Sequence, residues 1–271
     1  MCDNPYLAIR SGERTKNQVW THDVEVPCGK CPICKRRRVD DWVTRLIAEE
    51  KVSSSAYFCT FTYNTDNVPI SENGFMTLNR RHFQLFMKKL RKKENAKIKY
   101  YMAAEYGTDS DRPHIHAIIF NLDDYNLLYN EERISKRLTE IWSMGNVDVR
   151  SISVDRMAYT VGYINKEKRI PVHSRDDRVK EFSRMSKNLG ESYLTDEVVR
   201  YIENNNGTNG IQRNGRKMAL PRYYRKKVEK LGKFNNKLYI ETVQQRLLEK
   251  EEKRSEERRV GKECRSRWSP Y

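Results

Sequence analysis

Apolar residues recur along this chain with two clear periods. Val39, Trp42, Val43, Leu46 and Ile47 fall at i, i+3, i+4, i+7 and i+8, the stripe of an amphipathic helix, and predict one over residues 36–52. The run from Tyr57 to Tyr63 alternates large and small side chains, is rich in β-formers and predicts a strand. Beyond a loop of Asn, Asp, Pro and Gly, residues Phe83, Phe86, Met87 and Leu90 mark a second helix with Asn79 as its N-cap. Residues 98–106 and 114–120 read as two strands joined by the polar turn 107–112, a hairpin. Ile134, Leu138, Ile141 and Trp142 give a third helix, ended by Gly145. A short strand over Val147–Ser153 comes next, then a helix capped by Asp155 and running to about Lys168.

Hairpin-linked strands interleaved with helices favour an α+β architecture with an antiparallel sheet over a doubly wound parallel one. After 168 the pattern loosens. There is a polar linker near 171–180, an Asn/Gly-rich stretch at 204–210 and a hairpin signal at Asn214-Gly215. A basic helix is expected from about Pro221 and a charged helix from Asn235. No segment repeats. Apolar runs such as Ile118-Ile119-Phe120 are far too short to span a bilayer, and Met1-Cys2-Asp3-Asn4-Pro5 does not open a signal peptide.

Charge sharpens this picture. The 271 residues hold 53 Lys+Arg against 37 Asp+Glu, a formal net charge of +16, with only 37% hydrophobic residues. A membrane protein is excluded on that balance, and a polyanionic partner, nucleic acid first, is implied. The 16 tyrosines argue against wholesale disorder. Nine Lys/Arg fall between Arg80 and Lys99, including Arg81, Lys88 and Lys89, and nine more between Arg213 and Lys233. Such patches follow a phosphate backbone, although a solvated helix face is the ordinary reading of any one member. Arg80, Arg81, Lys88, Lys89, Arg112 and Arg222 are the expected DNA contacts, with Tyr223 and Tyr224 stacking on unpaired bases. The last eighteen residues, Arg254 to Tyr271, resemble the translation of a sequencing-library adapter and are set apart from fold reasoning.

Two groups of residues carry chemistry. In Arg112-Pro113-His114-Ile115-His116-Ala117, strand alternation puts both histidines on one face and Ile115 and Ala117 in the core. Two imidazoles so placed can share a divalent cation, and Glu105, across the hairpin, can add a carboxylate. An isolated His-x-His is more often two strand histidines without a ligand. On the last predicted helix, Tyr159 and Tyr163 are i, i+4 neighbours, and Lys166 lies three residues on. A phenolate can attack phosphorus and a lysine can favour it, whereas the common role of such a pair is core packing. Gly162, in the middle of this helix, reads as room for DNA or a strand to approach closely. The second group is Cys28, Cys31 and Cys34, spaced by three in a Gly/Pro loop. Thiolates at this spacing suit a structural zinc with Cys2, or else His22, as fourth ligand; an iron–sulfur cluster is the lesser alternative. Cys59, inside a strand, reads as core. This cysteine usage fits a reducing cytoplasm.

The segments Phe58-Cys59-Thr60-Phe61-Thr62-Tyr63, Glu105-Tyr106-Gly107, Arg112-Pro113-His114-Ile115-His116 and Tyr159-x-x-x-Tyr163-x-x-Lys166 come in the order of the three motifs of the HUH rolling-circle initiators, which the chain resembles. More narrowly it is similar to the replication initiators of microviruses, the gokushovirus-like single-stranded DNA bacteriophages. Val26 to Cys34, Phe182 to Ser186 and Leu220 to Tyr224 look like further signatures of that group. The resemblance implies an HUH endonuclease fold, a central antiparallel ferredoxin/RRM-like sheet with flanking helices. It implies a nickase and ligase in which His114, His116 and Glu105 bind Mg²⁺ or Mn²⁺. Tyr163 would form the 5′-phosphotyrosine, Tyr159 would take the next cleavage and Lys166 would neutralise charge. Single-stranded origin DNA, a host helicase and a host polymerase are the implied partners, in the cytoplasm of a bacterial host cell. A binding module without catalysis and an HUH transposase or relaxase are the competing readings. The expected division is a Cys-cluster segment and helix over 1–52, the endonuclease core over 53–170, a basic helical extension over 171–253 and the adapter-like tail over 254–271.

Overall fold

A computed structural model of the chain describes residues 2–8, 24–94, 97–108, 110–122, 131–163, 170–213 and 216–267. Strands β1 (Tyr6–Ala8) and β2 (Val24–Val26) pair antiparallel. The first apolar stripe becomes α1 (Pro32–Glu50). It starts before the stripe does because Pro32 sits in the first turn, where a missing N–H costs nothing and φ is already helical. The chain continues through β3 (Ala56–Thr62), α2 (Arg80–Lys93), β4 (Lys99–Tyr106), β5 (Pro113–Phe120), α3 (Glu131–Trp142), β6 (Val147–Ser151) and α4 (Val154–Gly162). Asn79 caps α2 as expected, its side chain accepting from Arg81 N. On α4 the cap is Ser153, whose hydroxyl accepts from Arg156 N. Asp155 lies in the first turn instead, where a carboxylate still favours the helix dipole. The expected end of this helix near Lys168 lies outside the described residues.

The sheet has five strands in the order β6-β3-β5-β4-β7, every pair antiparallel. Its last member, β7 (Phe182–Met185), falls in the stretch expected to begin an extension. Four residues are too few to show a period, so its pairing with β4 comes from tertiary contact alone.

The two faces of the sheet have different fates. Tyr57, Cys59, Phe61, Ile115, Ala117 and Ile119 point to one side and pack under α2 and α3 with Phe86, Leu90, Leu138 and Trp142. Each such side chain, fully buried, contributes about 1.5–3 kcal/mol of transfer free energy. On the other side, Phe58, Tyr101, Ile118 and Phe120 pack under α1 and α4 through Val43, Leu46, Met157 and Val161. The histidines share this second face, because side-chain direction repeats every two residues. Gly145 lets the chain turn from α3 into β6. It has φ +156°, and a Cβ there would stand 2.1 Å from the Thr62 carbonyl oxygen, so no other residue fits.

The chain divides into two compact units, Met1–Ser192 and Tyr193–Tyr271. The second holds α5 (Asp196–Asn205), the hairpin β8 (Ile211–Arg213) and β9 (Arg216–Met218), α6 (Arg222–Lys230) and α7 (Asn236–Arg267). Its core is Val199, Ile202, Leu220, Tyr224, Val228 and Phe234.

Candidate active site

Register brings the acidic and imidazole groups together. Glu105 on β4 pairs directly with His114 on β5, and His116 lies two residues on along the same face. Glu105 Oε1 is 2.8 Å from His114 Nε2 and 3.1 Å from His116 Nε2. Glu105 and His116 are buried, 3% and 6% exposed, while His114 is half-buried. The outer ring nitrogens are held as well. His114 Nδ1 is 3.2 Å from the Arg112 carbonyl oxygen, and His116 Nδ1 is 3.1 Å from Thr60 Oγ1.

This arrangement calls for positive charge. The Arg112 carbonyl can only accept, so His114 Nδ1 carries a proton and the neutral ring turns a lone pair on Nε2 toward Glu105. Two acceptors 2.8 Å apart repel unless a proton or a metal ion stands between them. Both imidazoles and the carboxylate offer ligand atoms within 4.8 Å of one another, a set that could hold a metal ion. The donor chemistry, two imidazoles and a carboxylate, with outer nitrogens fixed by hydrogen bonds, suits a borderline or hard divalent cation.

The tyrosines of α4 reach the same spot. The Tyr163 ring lies parallel to His116 at 5.4 Å between centroids, and Tyr159 stands edge-on to both at 5.3 and 4.9 Å. Phe58 lies parallel to His116 at 5.5 Å, which fixes the ring. Tyr163 is the C-cap of α4 and half-buried, whereas Tyr159 is 54% exposed. Burial pushes the Tyr163 phenol well above its ordinary range, and hydrogen bonding to Tyr159 and to Glu105 adds to this. A divalent cation on Glu105 would oppose the carboxylate's part of that effect. Beside Gly162 a Cβ would meet no atom of the described residues within 4 Å, so no described strand approaches this glycine. Lys166 lies outside the described residues.

Residues 56–168 match the family model of the replication-associated protein ORF2. Replication-associated protein ORF2 of Spiroplasma virus 4 is 26% identical over 233 residues, 82% of this chain and 72% of that protein. For replication-associated protein ORF4 of Chlamydia phage 1 the identity is 27% over 253 residues, 86% of this chain and 61% of that protein. Replication-associated protein VP4 of Bdellovibrio phage phiMH2K is 27% identical over 156 residues, 52% of this chain and 48% of that protein. The chain is a relative of the phage replication-associated proteins. No solved structure matches it significantly.

Other expected site residues of this phage-type protein are placed less simply. Arg80, Arg81, Lys88 and Lys89 are exposed on α2, but α2 covers the face of the sheet opposite the histidines. Arg112 directs Nε and Nη2 to the Tyr63 carbonyl, at 3.3 and 2.8 Å, and so braces the hairpin. Arg222 is exposed at the start of α6. The base-stacking role expected for Tyr224 is corrected: its ring is 0% exposed and forms the core of the second unit. Helical spacing places Tyr224 four residues before Val228 on the inward stripe, which the adjacent charges obscured. Tyr223 is half-buried against it, 5.4 Å away. Sequence reasoning missed Thr60 and Phe58. Their signal was parity: both share the face of His116 once β3 and β5 pair in register.

The cysteines form a separate cluster. Cys2, Cys28, Cys31 and Cys34 also have ligand atoms within 4.8 Å of one another and could hold a metal ion. Backbone N–H groups of Cys31 and Lys30 pull the Cys28 thiol down to about 6, and burial pushes Cys34 up to about 12. Cys59 is fully buried in the core, as expected. His22 lies outside the described residues.

Proposed function

We propose that this protein initiates rolling-circle replication of a small single-stranded DNA phage by nicking and rejoining the origin strand, on an HUH-type core. The observation that carries this reading is the convergence of Glu105, His114 and His116 with the phenols of Tyr159 and Tyr163 at one end of one sheet face. Residues 56–168, which match the replication-associated family, contain all five. The basic composition suits a DNA substrate.

His114, His116 and Glu105 would hold Mg²⁺ or Mn²⁺, which would polarise the scissile phosphate and offset charge as it develops. The chain's own groups do the rest. The Tyr163 oxygen bonds to phosphorus as the bond from phosphorus to the 3′-oxygen breaks. That oxygen takes up a proton and leaves as a 3′-hydroxyl able to prime a polymerase. The ester on Tyr163 conserves the bond's energy, so rejoining needs no nucleotide cofactor. Tyr159 supplies a second phenol for the next cleavage, and Lys166, on the family pattern, offsets phosphate charge. The sequence has no G-x-x-x-x-G-K-[ST] loop, so a host helicase would open the duplex and a host polymerase extend the end. No described helix is long and apolar enough to cross a membrane, in keeping with action in the host cell's cytoplasm.

The test is covalent capture. Protein incubated with single-stranded origin DNA and Mn²⁺ is expected to form an adduct that survives denaturation and is lost with chelator. The double variant Tyr159→Phe, Tyr163→Phe should form none. An adduct that persists in the double variant refutes the nucleophile assignment, and a native protein that binds the DNA without forming one supports the non-catalytic binding module.

A further inference from the structure

We propose that Cys2, Cys28, Cys31 and Cys34 hold one structural Zn²⁺ in a closed four-thiolate site, separate from the Glu105–His114–His116 centre. The four sulfurs come from two distant parts of the chain, Cys2 beside β1 and the other three at the start of α1. Ordinary turn packing therefore does not account for their meeting. Cys2 and Cys31 sulfurs are 3.8 Å apart. A tetrahedral ion with Zn–S bonds of about 2.3 Å has S–S edges of about 3.8 Å, whereas a disulfide needs about 2.05 Å. An iron–sulfur cluster stands between its thiolates and spreads them further than a single ion does.

The surroundings fit thiolates. Cys2 Sγ accepts the backbone N–H of Cys28 at 3.2 Å, and Cys28 Sγ accepts those of Lys30 and Cys31 at 3.4 and 3.3 Å. Gly29 makes this turn possible with φ +71°, which an L side chain rarely adopts. Arg38 donates to the Gly29 carbonyl and sets a positive charge beside a site whose four thiolates outweigh the ion's charge by two. All four donors are sulfur, with no carboxylate or imidazole among them, which selects zinc over magnesium, calcium or manganese. The ion would staple the N-terminal segment to the first turn of α1. That helix packs through Val43 and Leu46 against Met157 and Val161 of the tyrosine helix, so the staple steadies the wall behind the active site.

The experiment is elemental analysis of the untagged full chain purified without chelator, with native mass spectrometry. One zinc per chain is expected, and replacement by Co²⁺ should give the visible spectrum of a tetrahedral four-sulfur site. Cys2→Ala should lower zinc affinity at least tenfold. The double variant His114→Ala, His116→Ala should keep its zinc, which holds this result apart from the fate of the nicking assignment. Metal-free protein with four freely reactive thiols overturns the proposal. So does iron with labile sulfide, a Cys2–Cys31 disulfide, or zinc that disappears with the histidines.

Discussion

Replacing Thr60 by valine isolates one hydrogen bond at the candidate metal centre. Thr60 lies opposite His116 in the β3–β5 register, with its hydroxyl 3.1 Å from His116 Nδ1. A histidine that offers Nε2 to a cation carries its proton on Nδ1, so the threonine oxygen must accept it. Valine keeps the shape and the β-branching but leaves that donor unmet on a ring only 6% exposed. An unmet buried donor costs about 1–3 kcal/mol, which is roughly 5- to 150-fold in an equilibrium constant. Loss of an outer hydrogen bond to a metal-ligating histidine typically costs about 10- to 100-fold. The two estimates overlap, and a fall of about 10- to 100-fold in Mn²⁺ affinity is expected. Isothermal titration measures it, with adduct formation at limiting Mn²⁺ as a second readout and a thermal melt to show that the fold persists. Thr60→Ser, which restores the acceptor, should stay close to wild type. If Thr60→Val binds Mn²⁺ like wild type while His116→Ala does not bind it, the positioning argument is wrong.

Three further outcomes follow from the packing. Asp176 accepts from Arg178 Nε and Nη2, both at 2.9 Å, and the pair is buried, so Asp176→Asn should cost about 3 kcal/mol in a denaturant titration at neutral pH. The Arg178 guanidinium beside it holds the Asp176 carboxyl well below its ordinary value of 3.8. Its stabilisation is therefore complete above about pH 4 and is lost as pH falls through the depressed value; a variant whose deficit is the same at pH 2.5 and pH 7 would contradict this. Gly162→Ala, with open space for the new methyl, should stabilise α4 by up to about 1 kcal/mol and raise the melting temperature; unchanged or lower stability rejects the helix argument. Tyr224→Ala should cost about 3–5 kcal/mol and expose the second unit to proteolysis, whereas a base-stacking tyrosine would lose DNA affinity at unchanged stability.

Local pattern determined much of this protein. The period of the apolar residues placed α1, α2, α3 and the strands β3 to β6, because each element buries one face of a regular repeat. The His-x-His spacing on a strand already put both imidazoles on one side, and the hairpin turn already brought Glu105 within reach. Tertiary structure decided what no local period encodes. Strand β7 exists because β4 offers it an edge, and Ser153 caps α4 because the chain turns two residues before the expected cap. Thr60 and Phe58 serve His116 only through strand pairing, and Tyr224 is core only because three elements close over it. The charges of α2, adjacent in sequence to the catalytic strands, went to the opposite side of the sheet. Alternation fixes which residues share a face, but which face each helix covers depends on packing between elements distant along the chain.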